Sequence, residues 1–104
     1  MITIKKGDTL TFIVRRRDKD NNPLTGDANK LYSQLRNNKD ILVADMVITE
    51  TDVPGDYLFQ ISSEITKGFD VGQYVFEIEY RDGNLVKSSE TFQVKVIKDV
   101  TRND

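Results

Sequence analysis

Carboxylates, hydroxyls, lysines and arginines carry whatever chemistry this sequence has to offer, because it contains no histidine and no cysteine. The densest set of oxygen ligands is Asp18-x-Asp20-x-Asn22, which matches the opening of a calcium-binding loop. The match then fails: Pro23 stands where that loop needs glycine, and Asn29 stands where it needs a bidentate glutamate. Asp and Asn at these positions also suit a plain turn, whose backbone they satisfy. Paired acids for glycoside hydrolysis would have to come from Glu77 and Glu79, or from Glu50, Asp52 and Asp56. Neither group has an evident pocket, and the absence of tryptophan removes the usual sugar platform. The expectation is a solvated acidic face.

Nucleophilic chemistry is equally poorly served. Ser62-Ser63 and Ser88-Ser89 have no histidine to activate them, and no Ser-x-x-Lys spacing occurs. The six glycines are scattered singly among turns, so no phosphate-cradling loop exists. Without His or Cys, zinc, copper and haem sites are not expected. The sequence therefore predicts no catalytic, metal or cofactor-binding residues and no enzyme activity.

The formal charge is −2, which argues against nucleic acid or an anionic membrane as partner. Arg15-Arg16-Arg17 is the one dense basic run. In an extended strand its side chains alternate between faces and cannot form a single stripe, so it reads as a solvated strand end. No segment approaches the ~20 apolar residues of a membrane span, and Met1–Lys5 lacks the apolar run of a signal peptide. The expectation is a soluble chain.

One domain fits the 104 residues. A chain of this size buries about 60% or more of its unfolded surface, enough to fold without a staple. Period-two alternation dominates and predicts an all-β domain over 1–98, with a polar tail over 99–104. Seven strands are expected. They are Met1–Lys5; Thr9–Arg17 with Leu10, Phe12 and Val14 inward; and Leu31–Arg36 with Leu31, Ser33 and Leu35 inward, or Tyr32 if the register slips. Then come Ile41–Thr49 with Leu42, Ala44, Met46 and Ile48 inward, and Asp56–Ser62 with Tyr57, Phe59 and Ile61 inward. Ile41–Thr49 is apolar on both faces at its start, which suggests a strand covered on both sides or a bulge. Val71–Arg81 turns Tyr74, Phe76, Ile78 and Tyr80 inward, and Leu85–Lys98 closes the set with Phe92, Val94 and Val96. The stretch Leu24–Lys30 reads as a polar loop. Ser63-Glu64-Ile65-Thr66-Lys67-Gly68 reads as a capping serine, a single helical turn and a stopping glycine, and Asp82-Gly83 signals a hairpin.

Asp70-x-Gly72-x-Tyr74 resembles the entry to the sixth strand of an immunoglobulin-like sandwich. There a tyrosine packs its ring inside while its hydroxyl ties down nearby backbone. Phe76 stands where a disulfide-bonded relative would carry cysteine. Gly55-x-Tyr57-x-Phe59 repeats the pattern, and the corner is assigned to Tyr74 because the preceding loop with Asp70 fits it better.

With Gly7-Asp8-Thr9-Leu10, the Asp-Lys-Asp-Asn-Asn-Pro turn, the two Gly-x-Tyr strands, Arg81-Asp82-Gly83 and the ending Phe92-x-Val94-x-Val96, the layout resembles immunoglobulin-like domains of tailed-phage virion proteins. The N-terminal domain of phage baseplate upper proteins is one such. Asp99-Val100-Thr101-Arg102 looks like the end of such a module. Asn22 departs from the pattern, in which that turn usually carries glycine. The resemblance implies an immunoglobulin-like antiparallel β-sandwich acting as a non-catalytic structural module in a baseplate, tail or head–tail region. Its partners would be other virion or tail proteins or further copies of itself, and its place the virion, or the host cytoplasm during assembly. Contact would run through loops or a free sheet edge, with the first strand and the polar tail as natural places. The alternative is a bacterial surface adhesin or carbohydrate-binding immunoglobulin-like module, and a metal-stabilised regulatory domain is a third.

Overall fold

Alternating apolar residues bury one face of most strands, and the computed structural model, which describes residues 1–98, stacks two such sheets on one core. The strands are β1 (Ile2–Lys5), β2 (Leu10–Arg15), β3 (Leu31–Asn37), β4 (Leu42–Asp45), β5 (Val47–Glu50), β6 (Asp56–Ile61), β7 (Gly72–Asp82), β8 (Leu85–Ser88) and β9 (Phe92–Ile97). Helical structure among the described residues is limited to α1 (Ser63–Thr66) and a 3-10 turn at Ala28–Lys30. One sheet runs β1-β9-β7-β3-β4, with β8 beside the far half of β7; the other runs β2-β6-β5. All pairings are antiparallel except β1 with β9. The fold is all-β, as expected.

Phe12 on β2 is stacked with Phe59 of its own sheet and with Phe76 of the opposite sheet, and Phe76 in turn with Phe92, all at centroid separations of 5.2–5.3 Å. This column of four rings crosses from one sheet to the other at Phe12–Phe76, next to the fully buried Leu10, Leu35, Val94 and Val96. Tyr74 packs on Phe69 at 5.2 Å, and its hydroxyl donates to the Asp70 carbonyl at 2.6 Å. That is the corner the sequence motif implies. Leu31, Ser33 and Leu35 are buried and Tyr32 is exposed, which settles the register of β3.

Two of the seven expected strands are each two strands. Ile41–Thr49 leaves one sheet and enters the other: β4 pairs with β3, Met46 is buried at the crossing, and β5 pairs with β6. Arg36 faces Leu42 while Leu35 faces Ala44, so Val43 is an extra residue in a bulge. The bulge turns Val43 toward the core and leaves Leu42 44% exposed, contrary to its expected inward place. Ala44, Met46 and Ile48 are inward as expected.

Leu85–Lys98 is likewise divided. β8 and β9 lie along the same edge of β7, in registers that differ by one residue. Ser89 mends the gap: its N–H donates to Ile78 O at 2.8 Å, and its hydroxyl accepts the Ile78 N–H at 2.9 Å. The hairpin between β7 and β8 turns on Gly83 at φ +59°. The expected helical turn is α1, but its cap is Ser62 rather than Ser63, and it makes no side-chain bond. Thr66 anchors it instead, donating to Asp8 O at 2.7 Å. The expected polar tail 99–104, with Asp99-Val100-Thr101-Arg102, lies outside the described residues.

Burial, and then the nearby Asp70 carboxylate, pushes the Tyr74 phenol above its usual 10.0. A raised folded-state value means that the corner's contribution is complete below pH 10.0 and is lost as pH climbs through the folded value. Tyr74→Phe removes one buried hydrogen bond. It should cost about 1 kcal/mol at neutral pH and flatten the alkaline loss of stability, read by urea unfolding from neutral pH upward.

Candidate functional site

Charged and hydroxyl side chains concentrate in two places: at one end of the molecule, and on the outer face of the larger sheet. The end cluster begins with the basic run. Strand alternation sends Arg15 and Arg17 to one side, where they flank the buried Asp56 at 3.6 and 3.2 Å. Arg16 turns to the other side, pairs with Asp27, and lies over the Tyr80 ring at 4.7 Å. The alternation is as expected, but the solvated strand end is not. Only Arg15 has a mostly exposed side chain, at 76%; Arg16 and Arg17 retain 19% and 29%. Each of the two meets a carboxylate brought over by the fold, Asp27 from the loop 23–30 and Asp56 from β6.

That loop is tied down by Tyr57. Its hydroxyl donates to Leu24 O at 2.8 Å and accepts the Asp27 N–H at 3.1 Å. Leu24 N–H donates to Arg16 O at 3.0 Å, and the Glu50 carboxylate accepts the Gly26 N–H. Lys30 joins Asp27 to Asp82 across the hairpin end. Tyr80 donates to Asp82 at 3.3 Å; partial burial pushes its phenol up, and Asp82 beside it adds to the shift. Gly55 sits where these chains converge. At φ +83°, a Cβ there would lie 2.2 Å from Arg17 Nη1, 2.7 Å from Arg16 O and 2.8 Å from Pro23 Cβ. The sequence singled out Arg15-Arg16-Arg17, Glu50, Asp56 and the repeated Gly-x-Tyr separately and did not join them; Asp27 carried no signal at all.

On the outer face of the larger sheet, an open groove of about 620 Å³ runs over β3, β4 and β7. Several of its polar side chains are engaged with one another. Arg81 pairs with Glu79 and lies 4.3 Å over the Tyr32 ring. Gln34 donates to Asp45 at 3.1 Å and accepts from Arg36 at 3.0 Å, while Arg36 also donates to Asp40 O. Glu77 and Glu79 therefore share a face, but Glu79 is held by Arg81. Glu50, Asp52 and Asp56 are not brought together: Glu50 binds loop backbone, Asp56 is clamped by two arginines, and Asp52 is exposed. Ser89 serves the β7 ladder, and Ser62 starts α1.

The Asp18–Asn22 turn uses its own carboxylate. Asp18 Oδ1 accepts the N–H groups of Asp20 and Asn22, both at 2.9 Å, and Oδ2 accepts from the Asn22 side chain. Asn21, not Asn22, takes the left-handed conformation, at φ +66°. Among the described residues no group of three or more Asp, Glu, His or Cys is placed to hold a metal ion. The Asn22 bonds hold the Asp18 carboxyl below its ordinary 3.8. A lowered value means that its contribution is complete above pH 3.8 and is lost as pH falls through the folded value.

Two outcomes follow from this geometry. Gly55→Ala should lose about 2–4 kcal/mol in urea unfolding: about 1–2 from left-handed backbone, the rest from displacing Arg17 and Pro23. A loss under about 0.5 kcal/mol would contradict the close approach. In an NMR titration the Asp18 carboxyl should titrate below 3.8, and millimolar calcium should leave both that titration and the thermal midpoint unchanged.

A scan against protein-family models gives no match for this chain. A search of the curated proteins gives none either.

Proposed function

We propose that this chain is a non-catalytic assembly module of a phage or prophage particle, an immunoglobulin-like domain that works through protein–protein contacts. The observation that carries the reading is the strand arrangement together with its corner. A three-stranded β2-β6-β5 sheet faces a sheet in which β7 lies between β3 and β9, and Tyr74 binds backbone four residues upstream at the start of β7. An immunoglobulin sandwich sets strands B, E and D against C, F and G with a tyrosine corner at the head of strand F, and that likeness supports the reading. Phe76 occupies the cysteine position and joins the aromatic column instead.

The polar groups support the same reading. The acids and arginines with the most chemical promise, Asp18, Asp27, Asp56, Arg16 and Arg17, are spent on loops and turns. What the domain presents outward is sheet faces and free sheet edges, which suit contact with other proteins. The carbohydrate-binding alternative would draw on Tyr32 as an exposed platform, and Arg81 already covers that ring.

The test is co-sedimentation of the tagged chain with intact particles and with separated baseplate, tail and head–tail proteins of a candidate phage. The expected result is saturable binding to one virion component. Binding to cell-wall glycans with no affinity for any virion protein would reverse the order of the two readings.

A further inference from the structure

Among the described residues, β1, β2, β4, β5 and β8 each have one unpaired edge. Open edges accept foreign strands, and proteins blunt them with short length, bulges or charge. Four of the five are blunted. Each is four residues long: β1 carries Lys5, β4 is bulged at Val43 and ends in Asp45, β5 ends in Glu50, and β8 carries Lys87. β2 is different. It has six residues, pairs with β6 without a register break, and bears its single charge at the last position, Arg15.

The direction of its free hydrogen-bonding groups follows from the register. Arg16 N–H donates to Gly55 O at 2.7 Å, and this pair extends the Leu10↔Ile61 to Arg15↔Asp56 register. Leu10, Phe12 and Val14 therefore turn their N–H and C=O toward β6. Bonds alternate sides along an antiparallel strand, so Thr11, Ile13 and Arg15 turn theirs to the open edge.

We propose that two copies of this chain join along this edge, β2 antiparallel to β2, about a two-fold axis through Ile13. The proposal names a partner for the assembly module above and rests on that reading. The symmetric register sets Ile13 opposite Ile13 and Thr11 opposite Arg15. Every outward-directed residue then meets another, forming about six ladder bonds at two per pair. The one charge on the seam faces a threonine, and the two Arg15 side chains lie at opposite ends. On the outer face Ile13 is 48% exposed and sits beside Leu58. Pairing makes a continuous row of Leu58, Ile13, Ile13 and Leu58. The neighbouring Thr11, Gln60, Val47 and Thr49 are uncharged, and Arg15, at the end of the strand on this face, pairs with Asp56 of its own chain. Half-buried Phe12 and Val14, at the core's margin beside the seam, are covered by the same contact. The same patch serves both copies, as a two-fold interface requires.

Sedimentation velocity from about 10 μM to 1 mM should show concentration-dependent conversion to the mass of two chains. The Thr11, Ile13 and Arg15 amides should slow in hydrogen exchange as the dimer fills. Ile13→Pro removes only an outward N–H and keeps the β6 ladder; Ile13→Lys sets like charges opposite each other. Each should weaken association at least tenfold, and the thermal midpoint of the lysine variant should move little. A dimer that survives both substitutions overturns the proposal. So does a wild-type chain that stays monomeric at about 1 mM with those three amides exchanging freely. If the amides slow only when a virion protein is added, self-pairing is overturned and the assembly reading stands. A dimer sealed through β2 that binds no virion protein upholds self-pairing and removes that reading.

Discussion

The ring contact between Phe12 and Phe76 is the constraint on which the rest of the molecule depends. The chain has no cysteine or histidine, so neither a disulfide nor a zinc cluster can hold its two sheets together. Apolar burial must do so alone, and Phe12–Phe76 is the stacked pair that spans the gap between them. Phe59 and Phe92 extend the column within each sheet. Aromatic pairs of this kind contribute about 0.5–1.5 kcal/mol beyond the area they bury. Phe76, two residues after Tyr74, thus closes the interior by dispersion and burial.

Once the sheets are held, two tyrosines fasten the loops at their ends, and they do so differently. Tyr74 binds backbone four residues before itself, so its bond is local and fixes how the chain enters β7. Tyr57 reaches a loop 30 to 33 residues upstream and satisfies one carbonyl and one N–H together. Arg16 and Arg17 then neutralise carboxylates that this arrangement has brought near. Their partial burial makes each pair dependent on its partner's presence, since an orphaned charge there would lose solvation without compensation. The basic run is thus structural cement at one end of the molecule.

The functional consequence is a division of labour. Asp18, Asp27, Asp56, Arg16 and Arg17 are committed to the molecule's own turns and loops, while β2 keeps a six-residue open edge whose one charge stands at its end. A surface of that kind recognises extended polypeptide through main-chain bonds and carries little information about small molecules.

Much of this was legible in the sequence. Period-two alternation identified which residues of β2, β3, β6, β7 and β9 face inward, because a strand's side chains alternate regardless of context. The Asp-x-Gly-x-Tyr spacing located the Tyr74 corner, because both partners lie within five residues. What stayed hidden depends on distance along the chain. The single apolar run Ile41–Thr49 divides at Met46 because one half finds β3 and the other finds β6, and alternation looks alike on either sheet. The run Leu85–Lys98 is broken by one extra residue that only the register with β7 exposes. Asp27 and Asp56 became partners of Arg16 and Arg17 through folds of 11 and 39 residues. The sequence by itself determined which face of most strands is apolar, because side chains alternate along a strand whatever surrounds it. Tertiary structure alone decided which strands keep a free edge and which charges are spent, because hydrogen-bond partners and ion pairs belong to residues that meet only after the chain has folded.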